Sequence, residues 1–269
     1  MGYGRYVNGE LAQYFALATH GSAWLDGRTA SIPARPEQTH RAFEGVGAVT
    51  FGDTDSVLGW LQRLSAERVD RLWLAMPDLL SGDGTSPLPW HHQAAFAGGL
   101  PAGLLATSSS GNQLWRASWD VGDRDAPDHR IWQVTYHNTP VSFGPQRPDT
   151  DQAAATLIAS LERAQAFATR YDLYPWHGVF ARARQQWFAR DAEPAYHPDL
   201  LPDGCYDDAS RRLASMAHAA WVFGGMGSWN DLGFPETKRH AEYERITHEL
   251  FAALMYALLA SANADLTAT

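Results

Sequence analysis

Few of the chain's 11 histidines and 30 acidic residues sit where their types and spacing could do chemistry. The densest group is His240, Glu244 and His248, at successive four-residue intervals in a segment with helical periodicity. Neighbours four apart share a helix face, and such a pair can ligate one metal ion. All three span ~12 Å along the axis, too far for one ion to take them together. The order also differs from H-E-x-x-H, which needs two histidines four apart. A solvated or packing edge is therefore expected. His91 and His92 are adjacent, and adjacent side chains diverge on a helix or strand, so a shared metal would need ligands from elsewhere. No metal and no cofactor is expected.

A second set is carboxylic. Asp53, Asp55 and Asp78 follow apolar runs that read as strands (Val46–Phe51 and Leu72–Met76), with a short amphipathic helix between them carrying Val57, Leu58, Leu61 and Leu64. Strand, helix, strand in about 30 residues outlines a βαβ unit with parallel strands. An antiparallel return of the second strand has the same outline. In the parallel case the carboxylates lie beyond neighbouring strand ends, where open α/β sheets bind ligands, and could hold Mg²⁺ or act as a base. The plainer expectation is a helix cap for Asp53 or Asp55 and a Pro-Asp turn for Asp78. The glycines match neither a P-loop nor G-x-G-x-x-G.

The third candidate is Gly224-Gly225-Met226-Gly227-Ser228-Trp229-Asn230-Asp231, between two helical stripes. Its first glycines suit a helix stop. A connector is the expectation, yet Ser228, Trp229, Asn230 and Asp231 exceed what a connector requires, so it is the first place to look for a site. A catalytic arrangement here would draw on Asp53, Asp78 and Asp231, with His137 or His248 moving protons. Ser228, Trp229 and Asn230 would bind the substrate or partner.

The elements that must position these residues follow from periodicity. A short helix from Asn8 carries Leu11, Tyr14, Phe15 and Ala18, with Gly21 able to end it. Strands near 103–107, 113–121 and 130–138 form an antiparallel meander. Trp115, Ala117, Trp119 and Val121 share one face, and Trp132, Val134 and Tyr136 another. Aromatic faces can stack on sugars, but packing beneath helices is the stronger expectation. Pro140–Asp149 is a linker, and about four helices follow, capped or opened at Thr150 or Asp151, Pro175, Asp207 or Asp208, and Pro235-Glu236. Arg182, Arg184 and Arg190 form a solvated face on the second of them. The expected fold is α+β: a mixed sheet of the βαβ unit and the meander against a C-terminal helical group. It is read as a single domain over 1–269, with a possible sub-boundary near 140–149.

Composition narrows the function classes. Apolar residues make up 45% and charged residues 19% of 269, which is globular. A formal charge of -9 disfavours a broad nucleic-acid surface or docking on anionic membranes. Twenty of the 21 basic residues are Arg, Lys238 being the exception, and with abundant Ala this suggests a GC-rich bacterial genome. Cys205 is the one cysteine, which rules out an internal disulfide and fits a reducing cytosol. The start of the chain lacks a signal-peptide core, and Leu250–Ala260 is too short to span a bilayer. A cytoplasmic protein is expected. With no G-x-S-x-G elbow and no cysteine-protease signature, the leading expectation is a non-catalytic interaction or regulatory module of the antitoxin or immunity kind. Its partner would be an unknown protein or small molecule, with no nucleic acid and no membrane. The alternative is a small-molecule hydrolase or transferase with its site near Gly224–Asp231.

Overall fold

A computed structural model describes residues 9–28, 32–77, 89–96, 98–189 and 199–267. Its elements are α1 (Gly9–Leu25), β1 (Val46–Phe51), α2 (Val57–Ala66), β2 (Val69–Ala75), α3 (Trp90–Gln93), β3 (Gly103–Ser108), β4 (Gly111–Val121), β5 (Trp132–Val141), α4 (Thr150–Arg170), α5 (Trp176–Phe188), α6 (Asp208–Ala219) and α7 (Thr237–Ala262). The fold is α+β, a five-stranded mixed sheet followed by a C-terminal helix group.

The strand order is β1-β5-β4-β3-β2. The β3-β4-β5 meander is antiparallel throughout, and β1 lies parallel to β5. The parallel pairing of β1 with β2 does not occur. Those strands form opposite edges of the sheet and run in opposite directions, since β2 is antiparallel to β3. The antiparallel return is the arrangement adopted. The ten-residue α2 links the two edge strands, and the three strands of the meander lie between them in the sheet. The turn before α2 is capped by Ser56, whose hydroxyl accepts from Gly59 N at 3.0 Å, and not by Asp53, Thr54 or Asp55.

One sheet face carries an aromatic layer. Phe51 stacks between Trp60 of α2 (4.4 Å) and Tyr136 (4.7 Å), and Trp60 meets Trp115 edge-on at 5.5 Å. These rings are buried among apolar side chains contributed by both sheet and helices, so the aromatic strand positions are core. The opposite face buries a smaller group, Trp73, Ala75, Leu105 and Leu114, beneath Val141 and Phe143.

Helix α1 is longer than its expected Gly21 stop. It runs 17 residues, 14 of them buried, because it is packed against β2, β3 and α7. Gly21 is inside it for a packing reason: a Cβ there would come within 2.5 Å of Leu72 Cδ1. That close approach lets Ser22 Oγ donate to Leu72 O at 2.7 Å and accept from Leu72 N at 3.2 Å. At the end of α7, Asn263 does the same for Leu74, accepting from its N at 2.9 Å and donating to its O at 2.8 Å. Side chains thus occupy the free edge of β2, which would otherwise offer a template for strand addition. Asn8, the expected cap of α1, lies outside the described residues.

Segment 140–149 is stitched to its surroundings. Gln146 Oε1 accepts from Met76 N at 2.9 Å, and Asn263 Nδ2 donates to Gln146 O at 2.7 Å. Asp149, one residue earlier than expected, caps α4 by accepting from Gln152 N at 2.8 Å, and Asp207 caps α6 through Ser210 N at 2.8 Å. Among the described residues no helix is long and apolar enough to cross a membrane.

Candidate functional site

The Gly224–Asp231 stretch leaves α6, turns at the surface and returns as a 3-10 turn, Trp229–Asp231. Trp229 N donates to Val222 O at 3.0 Å, closing the loop at its base. The Trp229 side chain is 0% exposed. It is packed edge-on against Phe180 (5.0 Å), Trp176 (5.8 Å) and Phe167 (6.2 Å), and its Nε1 donates to Thr247 Oγ1 at 2.9 Å. Tyr243 Oη donates to its carbonyl at 2.6 Å. A ring enclosed in this way anchors the loop in the helical core and presents no wall to solvent.

The polar residues of the loop are equally committed. Asn230 Oδ1 accepts from Gly224 N at 3.1 Å and from the Ser228 hydroxyl, while its Nδ2 donates to His91 O at 3.2 Å. Asp231 Oδ2 accepts from Gly227 N at 2.8 Å. Gly227 has φ +84°, which favours glycine. What the loop leaves over is Met226, 97% exposed at its tip.

The other expected site residues do not gather here. Asp53 is exposed and paired with Arg63 Nη1 at 2.8 Å. His137 is exposed on β5, on the face opposite Tyr136 and Val134, and stands across from Arg116 of β4. Asp78 lies outside the described residues. Because β1 and β2 run in opposite directions, their carboxyl ends point to opposite ends of the sheet and no common crevice forms there. His248 is exposed on α7.

The carbonyl that Asn230 holds belongs to a different grouping. His91 and His92 sit on α3, a four-residue helix after Pro89. Their rings are 4.3 Å apart at a 44° tilt, so this short turn brings adjacent side chains to one side. Glu244 of α7 faces them, with its Oε2 3.7 Å from His91 Nε2. One ligand atom from each of His91, His92 and Glu244 lies within 4.8 Å of the others. His91 is 2% exposed, edged by Phe223 (6.4 Å) and Phe251 (6.3 Å), and neither ring nitrogen has a hydrogen-bond partner. Burial, then the nearby charges of His92 and His248, pushes its pKa down to about 4. A neutral imidazole makes no ion pair with Glu244, so its polar capacity is unused. The three groups are close enough that together they could hold a metal ion.

None of the three is among the expected site residues, yet the signal was present in part. The His91-His92 pair needed a ligand from elsewhere, and the His240–Glu244–His248 face supplies it. What local spacing cannot show is that α3 docks on α7 about 150 residues along the chain.

Several other buried titratable groups hold hydrogen bonds within the frame, although His218 Nε2 has none. His20 Nε2 bonds Asp199 O at 2.6 Å, and burial pushes its pKa down to about 4. His218 Nδ1 bonds Ala214 O at 2.7 Å, with its pKa likewise pushed down to about 4 by burial. Glu10 accepts from Tyr14 Oη at 3.3 Å, and burial raises its carboxyl to about 7. Tyr14 Oη in turn accepts from Ala117 N at 2.7 Å, and Tyr136 Oη donates to Gln13 at 2.8 Å. These bonds tie α1 to the meander.

No protein family, curated protein or solved structure matches this chain.

Proposed function

We propose that the chain is a non-catalytic protein-interaction module of the regulatory, antitoxin or immunity kind, which presents the Gly224–Asp231 loop to a partner. The observation that carries this reading is Met226, exposed at the tip of a loop whose flanks are locked by side-chain hydrogen bonds and a buried Trp. A preorganised loop loses little conformational entropy on binding, and methionine is a polarisable, adaptable contact residue. The formal charge of -9 favours a partner whose receiving apolar pocket is rimmed by basic groups. The test is site-specific photo-crosslinking at position 226 in cells of the source. Crosslinked partners should be lost when Gly225 and Gly227 are retained but the probe is moved to exposed Leu58. They should also be competed by the wild-type chain and not by Met226→Glu. Competition by both proteins equally would reject the loop as the contact.

The alternative, a small-molecule hydrolase or transferase, is supported by one observation: the His91, His92 and Glu244 side chains converge beside Asn230. It requires turnover of a simple ester or phosphoester that Glu244→Gln abolishes with folding intact.

A further inference from the structure

We propose that His91, His92 and Glu244 form a binding site for one divalent transition-metal ion of the zinc class, joining α3 to α7. Such a site does not depend on the loop's role as a partner contact. Two imidazoles and one carboxylate are a borderline-soft donor set that suits zinc, cobalt or nickel better than the all-oxygen ligation of calcium or magnesium.

The geometry is close to what such an ion requires. Tetrahedral ligands at ~2.0–2.1 Å from zinc stand about 3.3–3.4 Å from one another. The His91–Glu244 separation is 3.7 Å, and all three ligand atoms lie within 4.8 Å. Closing this set draws the ligand atoms together by about 0.3 Å for His91 and Glu244 and by up to about 1.4 Å for the widest pair, within the reach of side-chain rotation. The fourth position is left to water or to His248, one helical turn beyond Glu244 on the same face.

The second, independent observation is the state of His91. A buried polar group without a hydrogen bond costs free energy, and native structures rarely retain one without a role for it. His91 leaves both ring nitrogens without partners in a pocket edged by Phe223 and Phe251. A cation would take the lone pair of one nitrogen, and apolar walls would strengthen its attraction to Glu244. Asn230 fixes the backbone of His91 from the other side, at 3.2 Å, as outer partners fix a ligand's orientation in metal sites. Bound metal would thus clamp the base of the Gly224–Asp231 loop as well as α3.

The test uses the full untagged chain, stripped with a chelator and dialysed. Zn²⁺ titrated calorimetrically should bind at one ion per chain and raise the thermal midpoint. Co²⁺ should give visible absorption bands of a low-coordinate nitrogen and oxygen site, displaced by Zn²⁺. His92→Ala and Glu244→Gln, both at half-buried positions that tolerate change, should each weaken zinc binding by more than the roughly 10–100-fold that loss of an outer partner costs. His91→Leu should do the same, and because it alters the core it is read only alongside those two. A folded wild-type chain that takes up no zinc at 100-fold molar excess overturns the proposal. So does binding that survives His92→Ala but is lost in His240→Ala, which would place the ion on the exposed α7 pair instead.

Discussion

His20 and His91 are both buried, both neutral near pH 7 and both pushed down to about 4 by burial. By burial and titration they are the same kind of residue. They differ in what their ring nitrogens touch. His20 bonds Asp199 O at 2.6 Å and so ties α1 to the segment entering α6, whereas His91 has no partner at either nitrogen. The Gly224–Asp231 loop falls on the His20 side of this division: the side chains of Ser228, Trp229, Asn230 and Asp231 each make a hydrogen bond within the protein. Residue types that suit chemistry therefore mark a site less well than unused polar capacity does. What sets His91 apart is that both of its ring nitrogens are unsatisfied beside two further groups able to ligate.

The largest effect expected from this contrast is in the loop that first suggests a site. Trp229→Ala removes a fully buried ring from among Phe167, Trp176, Phe180 and Tyr243 and leaves Thr247 Oγ1 without its donor. A loss of about 3–5 kcal/mol in urea denaturation is expected, the usual range for Trp or Phe to Ala in a core. A loss under about 1 kcal/mol would mean that the ring is not structural and would return Trp229 to the list of recognition residues.

Next in size is a pH effect at Glu10, the buried carboxyl of the hydrogen-bonded α1 network. Its pKa is about 7 folded against 4.5 unfolded, so the folded state binds more protons between those values. The stabilisation it contributes is full below pH 4.5 and is lost as pH rises through 7. Glu10→Gln should therefore be more stable than wild type at pH 8, by about 1–3 kcal/mol, and the two should converge near pH 4.5. His20 and His218 act in the opposite sense. Their folded pKa values are lowered to about 4 from 6.5, so their contribution is present above 6.5 and is lost as pH falls through 4. Denaturation midpoints of the Glu10→Gln chain should rise with pH from 4 to 6.5, because the lowered histidines, His40 and His91 included, then act without the opposing carboxyl.

The direct comparison is smaller but more discriminating. His20→Leu abandons a short hydrogen bond to Asp199 O and should cost about 1–3 kcal/mol. His91→Leu, in metal-free protein, removes a buried group that has no partner and should cost nearly nothing or stabilise. Urea denaturation of the two chains after chelator treatment measures the difference. Equal losses would erase the distinction between the two histidines and, with it, the reason to look for a ligand at His91.

Elements with a strong local period were legible in the sequence: the stripes of α2 and α4–α7 and the meander. What escaped local reading was set by distant contacts. Gly21 looks like a helix stop but is the place where β2 packs onto α1, a matter of Leu72 lying 51 residues away. The parallel βαβ reading failed because the strand-helix-strand period is identical whether β2 returns beside β1 or across the whole sheet. The caps at Ser56 and Asp149 were misplaced by one to three residues, within the tolerance of any boundary read from composition. As for the site, Gly224–Asp231 was legible as an unusual loop, and His240, Glu244 and His248 as a potential ligand face. That α3 would turn two adjacent rings toward that face depends on docking, which no period encodes.

The smallest effect separates a structural carboxylate from a working one. Asp231 Oδ2 accepts from Gly227 N at 2.8 Å in an exposed turn, and its role in the frame needs an oxygen acceptor but no charge. Asp231→Asn keeps an acceptor of the same shape and should stay within about 0.5 kcal/mol of wild type. Asp231→Ala removes the acceptor from a solvated turn, where water replaces much of it, and should lose about 0.5–1 kcal/mol. This ordering, Asn near wild type and Ala slightly below, is what a satisfied frame residue gives in thermal denaturation. If partner crosslinking at position 226 is instead lost equally in Asp231→Asn and Asp231→Ala while both fold normally, the charge itself is recognised. Asp231 would then belong with Met226 on the presented surface, and the loop would no longer fall wholly on the His20 side.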